Sequence, residues 1–208
     1  MEPEKTMDAL DRAVKSGKAK FAGCCNYPAW LVAHSNTYAK LRKQAVLSCN
    51  QIPYNLIERG AEIEVLPHAK TEHIAVAVYR PLVMGLLTGK YEPGRQIPGD
   101  SRGKSDPRIA DWVSRYSDGM NKFLGYAEEL GVPPAALALA WVRFSPAVTC
   151  PVTGVSSLKQ LNAGIKAFDF ELDREQYDRL TGMFDTSPKE ESGGKFAELR
   201  RNSDLVKQ

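Results

Sequence analysis

The sequence predicts an α/β fold of parallel βα units and, within that class, part of a (β/α)8 barrel. Three observations carry this. Strand and helix patterns alternate along the chain, which specifies parallel strands joined by right-handed crossovers. The segment Ile74 to Tyr79 (Ile-Ala-Val-Ala-Val-Tyr) is apolar at nearly every position, like a strand buried on both faces of a parallel sheet. The turn after the first strand, Gly23-Cys24-Cys25-Asn26-Tyr27-Pro28, lacks the Gly-x-Gly-x-x-Gly fingerprint that an open doubly wound sheet favours. Only four strands are legible, too few to close an eight-stranded ring.

Each element has its own signal. Thr6 precedes a helix-spaced set, Met7, Leu10, Ala13 and Val14, which Gly17 ends as a C-cap. Ala19 to Cys25 reads as a short strand of small residues. Pro28 suits a first helical turn and opens a helix through Leu41. Val46 to Gln51 is the second strand, and Ala61 to Lys70 a helix whose later turns Pro67 disturbs. After the Ile74 to Tyr79 strand, the stretch 82–107 is rich in Gly, Pro and charge. It is too long for a simple connection, and such loops usually serve function. Helices are expected over Arg108 to Leu130 and Pro133 to Phe144, then a strand over Val148 to Val152. Ser157 to Phe168 and Asp173 to Phe184 are the last helices, and a charged tail follows over 186–208, loosened by Gly193-Gly194.

Composition narrows the function class. The chain of 208 residues is 43% hydrophobic and 25% charged, the balance of a single globular domain that can bury about 70% of its unfolded surface. Its 28 basic and 25 acidic residues are intermixed, which gives no footprint for nucleic acid or a membrane surface. No apolar run approaches the ~18 residues of a membrane span, and the N-terminus lacks a signal-peptide layout. Cys24, Cys25, Cys49 and Cys150 follow neither a disulfide nor a zinc spacing. Free thiols in a reducing cytoplasm are the expectation.

In a barrel, chemistry collects at the C-terminal ends of strands. Those ends are Cys25-Asn26, Gln51, Tyr79-Arg80-Pro81-Leu82 and Gly154-Val155-Ser156-Ser157. Each has an ordinary reading alone: Asn26 as a helix cap, Gln51 as a loop hydrogen-bonder, Tyr79 as core. Gly154 to Ser157 reads as an N-cap or as an anion site, since free N–H groups and the helix dipole attract phosphate.

Taken together, in order and spacing, they match one family. The matching runs are Thr6-Met7-Asp8-Ala9-Leu10, Ser16 through Asn26, Gln51-Ile52-Pro53-Tyr54-Asn55-Leu56 and Arg59-Gly60-Ala61-Glu62. The long loop contributes Tyr79 through Tyr91 and Ile97 through Arg102, and the last run is Pro151 through Leu161. The chain resembles the C-terminal part of the aldo/keto reductases along almost its whole length, above all the branch with potassium-channel beta subunits and bacterial general-stress reductases. The resemblance implies an incomplete (β/α)8 TIM barrel, its C-terminal four strands with their helices, as a single domain over 1–208 with 82–107 as cofactor loop.

It further implies a nicotinamide nucleotide, NADPH (NADP) or alternatively NAD(H), lying across the strand ends. Asn26 and Gln51 match the pair that hydrogen-bonds the carboxamide of the ring, and a planar amide donates and accepts at once. Tyr79 matches the aromatic on which the ring stacks. Arg80, Pro81, Leu82 and Lys90 match the loop over the pyrophosphate, where cations neutralise charge. Arg102 matches a residue near the adenosine, and Gly154, Ser156 and Gln160 match the segment holding the adenosine phosphate and ribose.

The chain departs from the family in ways that matter. Ser is common where Cys25 and Arg80 stand, Arg is common at Ser156, where it clamps a 2′-phosphate, and Asn is frequent at Gly164. NADP preference is therefore expected to be weakened. The family's acid Tyr, its Lys and Asp partners and its His sit on strands that precede the first strand of this chain, so no catalytic residue is assigned. His34, His68 and His73 read as solvent-facing or capping, and Tyr54 and Lys90 are the nearest chemical substitutes for the tetrad. Three functions stay open: the cofactor-binding portion of a carbonyl reductase, a catalytically silent nucleotide-binding module, or an inactive truncated product. A small carbonyl substrate is expected only with the N-terminal half supplied. Open barrel edges, with Leu47, Val76 and Val78 on an uncovered inward face, predict pairing with the missing half, self-association or a molten, aggregation-prone state, self-association being the most economical.

Overall fold

Among the described residues the β-branched and small apolar runs form four parallel strands, β1 (Ala22–Cys25), β2 (Leu47–Pro53), β3 (Ala75–Tyr79) and β4 (Cys150–Val152), side by side in chain order. The computed structural model describes residues 2–99 and 101–184, so the charged tail over 186–208 lies outside the described residues. Helix α1 (Pro3–Lys15) precedes β1, α2 (Ala29–Leu41) joins β1 to β2, and α3 (Val65–Thr71) joins β2 to β3. Between β3 and β4 run α4 (Pro107–Arg115), α5 (Ser117–Glu129) and α6 (Pro134–Phe144), and α7 (Leu158–Lys166) and α8 (Arg174–Thr181) follow β4.

The register decides what the sheet presents. Cys25, Gln51, Ala77 and Cys150 form one row across all four strands, and Pro53, Tyr79 and Val152 form a row nearer their C-terminal ends. Side chains alternate between faces. Asn50, Ile52, Val76 and Val78 therefore share the face that joins the helical core, and Val76 and Val78 have no exposed surface. This corrects the expectation that Val76, Val78 and Leu47 face an uncovered interior: all three are buried in the main core. The uncovered face carries Gly23, Cys25, Cys49, Gln51, Ala77, Tyr79 and Cys150, small or polar residues that are half-buried or exposed. Strand β3 is thus buried on one face, not both. Among the described residues, β1 and β4 each pair on one side only.

Several boundaries shift for physical reasons. Helix α1 starts at Pro3, whose missing N–H costs nothing in a first turn, and Thr6 sits inside it with its hydroxyl donating to the Glu2 carbonyl at 3.4 Å. Lys18 and Ala19 spend their N–H groups on the Ala13 carbonyl to close that helix around Gly17 (φ +74°), so β1 begins at Ala22 rather than Ala19. The helix expected over 61–70 is a 3₁₀ turn, Gly60–Glu62, then α3, interrupted at Glu64 (φ −138°). Pro67 thereby falls in the first turn of α3, where it displaces no hydrogen bond. The helix expected over 108–130 breaks at Tyr116 (φ −104°, ψ 18°) into α4 and α5.

Specific polar and aromatic contacts fix the layers. The Asn36 amide of α2 accepts from Leu47 N–H at 2.8 Å and donates to its carbonyl at 3.1 Å, a side chain acting as an extra strand for β2. Trp141 of α6 is fully buried between Tyr54 (centroids 5.1 Å) and Tyr177 of α8 (5.5 Å), and its Nε1 donates to Thr181 at 2.9 Å. An Asp173/Gln176 capping box starts α8, and Arg59 donates to the Thr181 carbonyl at its end while pairing Glu62 at 2.8 Å. These contacts bind α8 to the loop after β2.

Candidate functional site

The C-terminal ends of β1, β2 and β3 converge. Asn26 sits in the left-handed region (φ +60°), which Asn tolerates, and its N–H donates to the Gln51 carbonyl at 2.8 Å. That turn aims its side chain across the sheet, where Asn26 Oδ1 accepts from the Tyr79 hydroxyl at 2.9 Å. Gln51 lies between them, and its Oε1 accepts from the Cys25 thiol at 3.8 Å. Asn50, on the buried face, locks the turn from below by donating to the Tyr27 carbonyl at 2.8 Å. Three predicted residues, Asn26, Gln51 and Tyr79, are therefore brought together. Both side-chain amides accept through oxygen, which leaves their nitrogens to donate. Burial raises the Tyr79 hydroxyl above its ordinary pKa, and burial pushes the neighbouring Cys24 thiol up to about 12.

The loop after β3 is built on unusual backbone. Arg80 (φ +57°), Val83 (φ +48°) and Met84 (φ +56°) all lie where non-glycine residues seldom go, and β-branched Val83 is the most strained of them. Each such residue costs on the order of 1–2 kcal/mol, which burial of Val83, Leu86 and Leu87 offsets. Pro81 is buried and Leu82 half-buried beneath them. The Arg80 carbonyl is held by Asn55 Nδ2 at 3.1 Å, and the Arg80 guanidinium pairs with Glu58 and stands 5.8 Å from the Tyr79 ring centroid. Arg80 Nε is buried and has no hydrogen-bond partner among the described residues.

The remaining predicted residues form outer groups. Lys90 is exposed, with its ammonium 5.2 Å from the Tyr91 ring, and its stem passes beside Gly85, so it returns to the loop that starts at Arg80. Arg102 is exposed in the turn Arg102–Lys104. Buried Tyr91 links the two, accepting the Gly103 N–H at 3.1 Å. Gly154, Ser156 and Gln160 are exposed beyond β4, where Gln160 Oε1 accepts from the Ser156 N–H at 2.9 Å and its hydroxyl at 3.2 Å. Ser157 caps α7 as expected. This group shares no hydrogen bond with the Asn26–Tyr79 cluster among the described residues.

The tetrad substitutes do not meet. Tyr54 is buried in the core with its hydroxyl donating to Glu62 at 2.8 Å, and burial drives its pKa far above the ordinary range, whereas Lys90 lies on the exposed loop. His34 contacts Glu4 at 2.8 Å, and His73 is exposed after α3. Of the solvent-facing or capping readings, His68 departs from the first, because its Nε2 is buried with no hydrogen-bond partner among the described residues. Sequence reasoning missed Asn55 and Glu58, the pair that organises Arg80; the only local signal was Asn three residues before Glu in a turn. Among the described residues no group of His, Cys, Asp or Glu could hold a metal, and no helix is long and apolar enough to cross a membrane.

A model of the aldo/keto reductase family matches residues 1–184. The chain belongs to the aldo/keto reductase family. It is 33% identical over 181 residues to the uncharacterized oxidoreductase YrpG of Bacillus subtilis, covering 87% of this chain and 54% of that protein. It is 30% identical over 196 residues to a probable voltage-gated potassium channel subunit beta of Oryza sativa subsp. japonica, covering 89% and 58%. A solved glycerol dehydrogenase from Gluconobacter oxydans superposes with a TM-score of 0.73 at 26% identity, over 88% of this chain and 54% of that one. The chain spans about half the length of the curated relatives it matches. Its four parallel strands and their helices are accordingly part of the family's (β/α)8 barrel.

Proposed function

We propose that this aldo/keto reductase chain is a nucleotide-holding portion that binds NADP(H) across its strand ends and, by itself, reduces no carbonyl. The observation that carries this reading is the joined cluster of Asn26, Gln51 and Tyr79, in which two amide nitrogens and an aromatic face stand together at the sheet end. Bound nicotinamide supplies a hydride. Asn26 and Gln51 would hold its carboxamide, and Tyr79, fixed by its hydroxyl bond, would set the plane of the ring. Arg80, Pro81, Leu82 and Lys90 would cover the pyrophosphate, with Arg102, Gly154, Ser156 and Gln160 on the adenosine side. The unpaired Arg80 Nε fits an anionic ligand, since a buried N–H without an acceptor costs about 1–3 kcal/mol. A cytoplasmic location belongs to the same reading.

No described residue of the cluster is an acid poised to protonate a carbonyl oxygen: the Tyr79 hydroxyl already donates to Asn26, and Tyr54 is sealed in the core. Removing the acid typically costs ~10² to 10⁴ in rate, and alignment of the carbonyl is lost with it. The test combines a fluorescence titration with a turnover assay. Saturable enhancement of NADPH emission, with no NADPH consumption above a protein-free control when a reactive aldehyde is added, is expected. A folded chain that binds no NADPH, or one that steadily consumes it, overturns the reading.

A further inference from the structure

Glu58 has no part in the roles implied by the family, yet it is built into this site with care. Its Oε2 accepts from Asn55 Nδ2 at 2.9 Å, and its Oε1 accepts from the Arg80 guanidinium. Asn55, with no exposed surface, also takes the N–H groups of Glu58 (2.7 Å) and Ile57 (2.9 Å) on its oxygen and donates to the Arg80 carbonyl. One buried amide thus ties the carboxylate and the Arg80 carbonyl, and among these groups the Arg80 guanidinium is the one it does not hold. That side chain is in a poor position: its Nε is buried without an acceptor among the described residues, and both charged groups retain a quarter to a third of their surface. The arrangement satisfies one edge of the guanidinium and leaves another unsatisfied.

We propose that Glu58 is an internal competitor for Arg80, holding the guanidinium until an oxyanion at the ends of β2 and β3 draws it away. The proposal rests on the nucleotide-binding reading above and assigns Glu58 a specificity role within it. A pyrophosphate offers two adjacent oxyanions and can engage the guanidinium bidentately, Nε included, whereas a ligand without that group cannot repay the lost pair. Glu58 therefore raises the selectivity of the site for intact dinucleotides over their nicotinamide or ribose fragments, at the expense of affinity.

The experiment titrates wild type, Glu58→Gln, Arg80→Ser and the double variant with NADPH and with inorganic pyrophosphate, and follows the Arg80 Nε–H resonance in the wild type. Glu58→Gln keeps an oxygen for Asn55 while replacing the charged oxygen that Arg80 uses with an amide NH2. It is expected to tighten NADPH about two- to fivefold, the range set by a partly exposed ion pair. The gain should vanish in the Arg80→Ser background, since a competitor without its target does nothing. Pyrophosphate should shift the Arg80 Nε–H resonance. Glu58→Gln binding NADPH equally or more weakly overturns the proposal while leaving the nucleotide reading intact. So does a gain that persists in the double variant. A pyrophosphate shift at Arg80 without NADPH binding supports the competitor role and overturns the nucleotide reading. If Glu58→Gln fails to fold, the wild-type resonance decides: no shift with pyrophosphate refutes the proposal.

Discussion

Replacing Asn55 with alanine should show how far one buried amide holds the strand ends together. The side chain accepts two N–H groups, from Ile57 and Glu58, and donates to the Arg80 carbonyl and the Glu58 carboxylate. Truncation leaves the Ile57 N–H, in a residue 2% exposed, without an acceptor, at about 1–2 kcal/mol. The half-exposed Glu58 N–H and the Arg80 carbonyl can recruit water, and together cost about 1–1.5 kcal/mol more. The sum is about 3 kcal/mol, or a fall in Tm of about 6–12 °C for a chain of this size. Urea denaturation followed by circular dichroism reads it as a lower midpoint with an unchanged slope. Arg80, held at φ +57° partly by that bond, should also loosen, weakening NADPH binding. A stability loss under about 1 kcal/mol, with binding unchanged, refutes the reasoning.

Other perturbations test other links. A Cβ on Gly119 would stand 2.6 Å from the Phe184 ring and 2.9 Å from the Met183 carbonyl, so Gly119→Ala should cost about 1–2 kcal/mol despite the better helix propensity of alanine, measured by the same denaturation. Ser156 can hydrogen-bond a 2′-phosphate but forms no bidentate clamp, so the chain should prefer NADPH to NADH only modestly. Ser156→Arg should raise NADPH affinity by about tenfold, and titrations that give NADH the tighter dissociation constant contradict this. The single-sided pairing of β1 and β4, with exposed Leu158, Leu161 and Ile165 on α7 and Phe168 just after it, should drive self-association of the isolated chain. Light scattering that shows a monodisperse monomer, stable on dilution and unfolding cooperatively, refutes it.

Much of the fold was legible because parallel strands are short apolar runs that end abruptly in polar residues, and near those ends stand Asn26, Gln51 and Tyr79, although β2 runs two residues past Gln51, to Pro53. The faces were harder. In Ala75 to Tyr79 both alternating sets are apolar, so period alone does not say which set meets the helices. The helices packed against the sheet decide it: Val76 and Val78 fill the core, while Ala77 and Tyr79 line the open face. Boundaries moved where one group had two uses, as when Ala19 capped α1 instead of opening β1. The Asn55–Glu58–Arg80 arrangement was invisible because its decisive bonds join residues 22 to 25 positions apart. Arg80 itself was placed on the pyrophosphate loop by resemblance, but its ion pair depends on a carboxylate that no spacing rule connects to it.

The central claim is that the ends of β1, β2 and β3 hold the nicotinamide while the segment beyond β4 holds the adenosine. Chemical-shift perturbation on the isotope-labelled chain separates the two most directly. NADPH should move the side-chain amides of Asn26 and Gln51 together with the Tyr79 ring and the Gly154 to Gln160 amides. A 2′,5′-bisphosphate of adenosine should move only the second group. NADPH shifts that spare Asn26, Gln51 and Tyr79 in a folded chain would contradict the account.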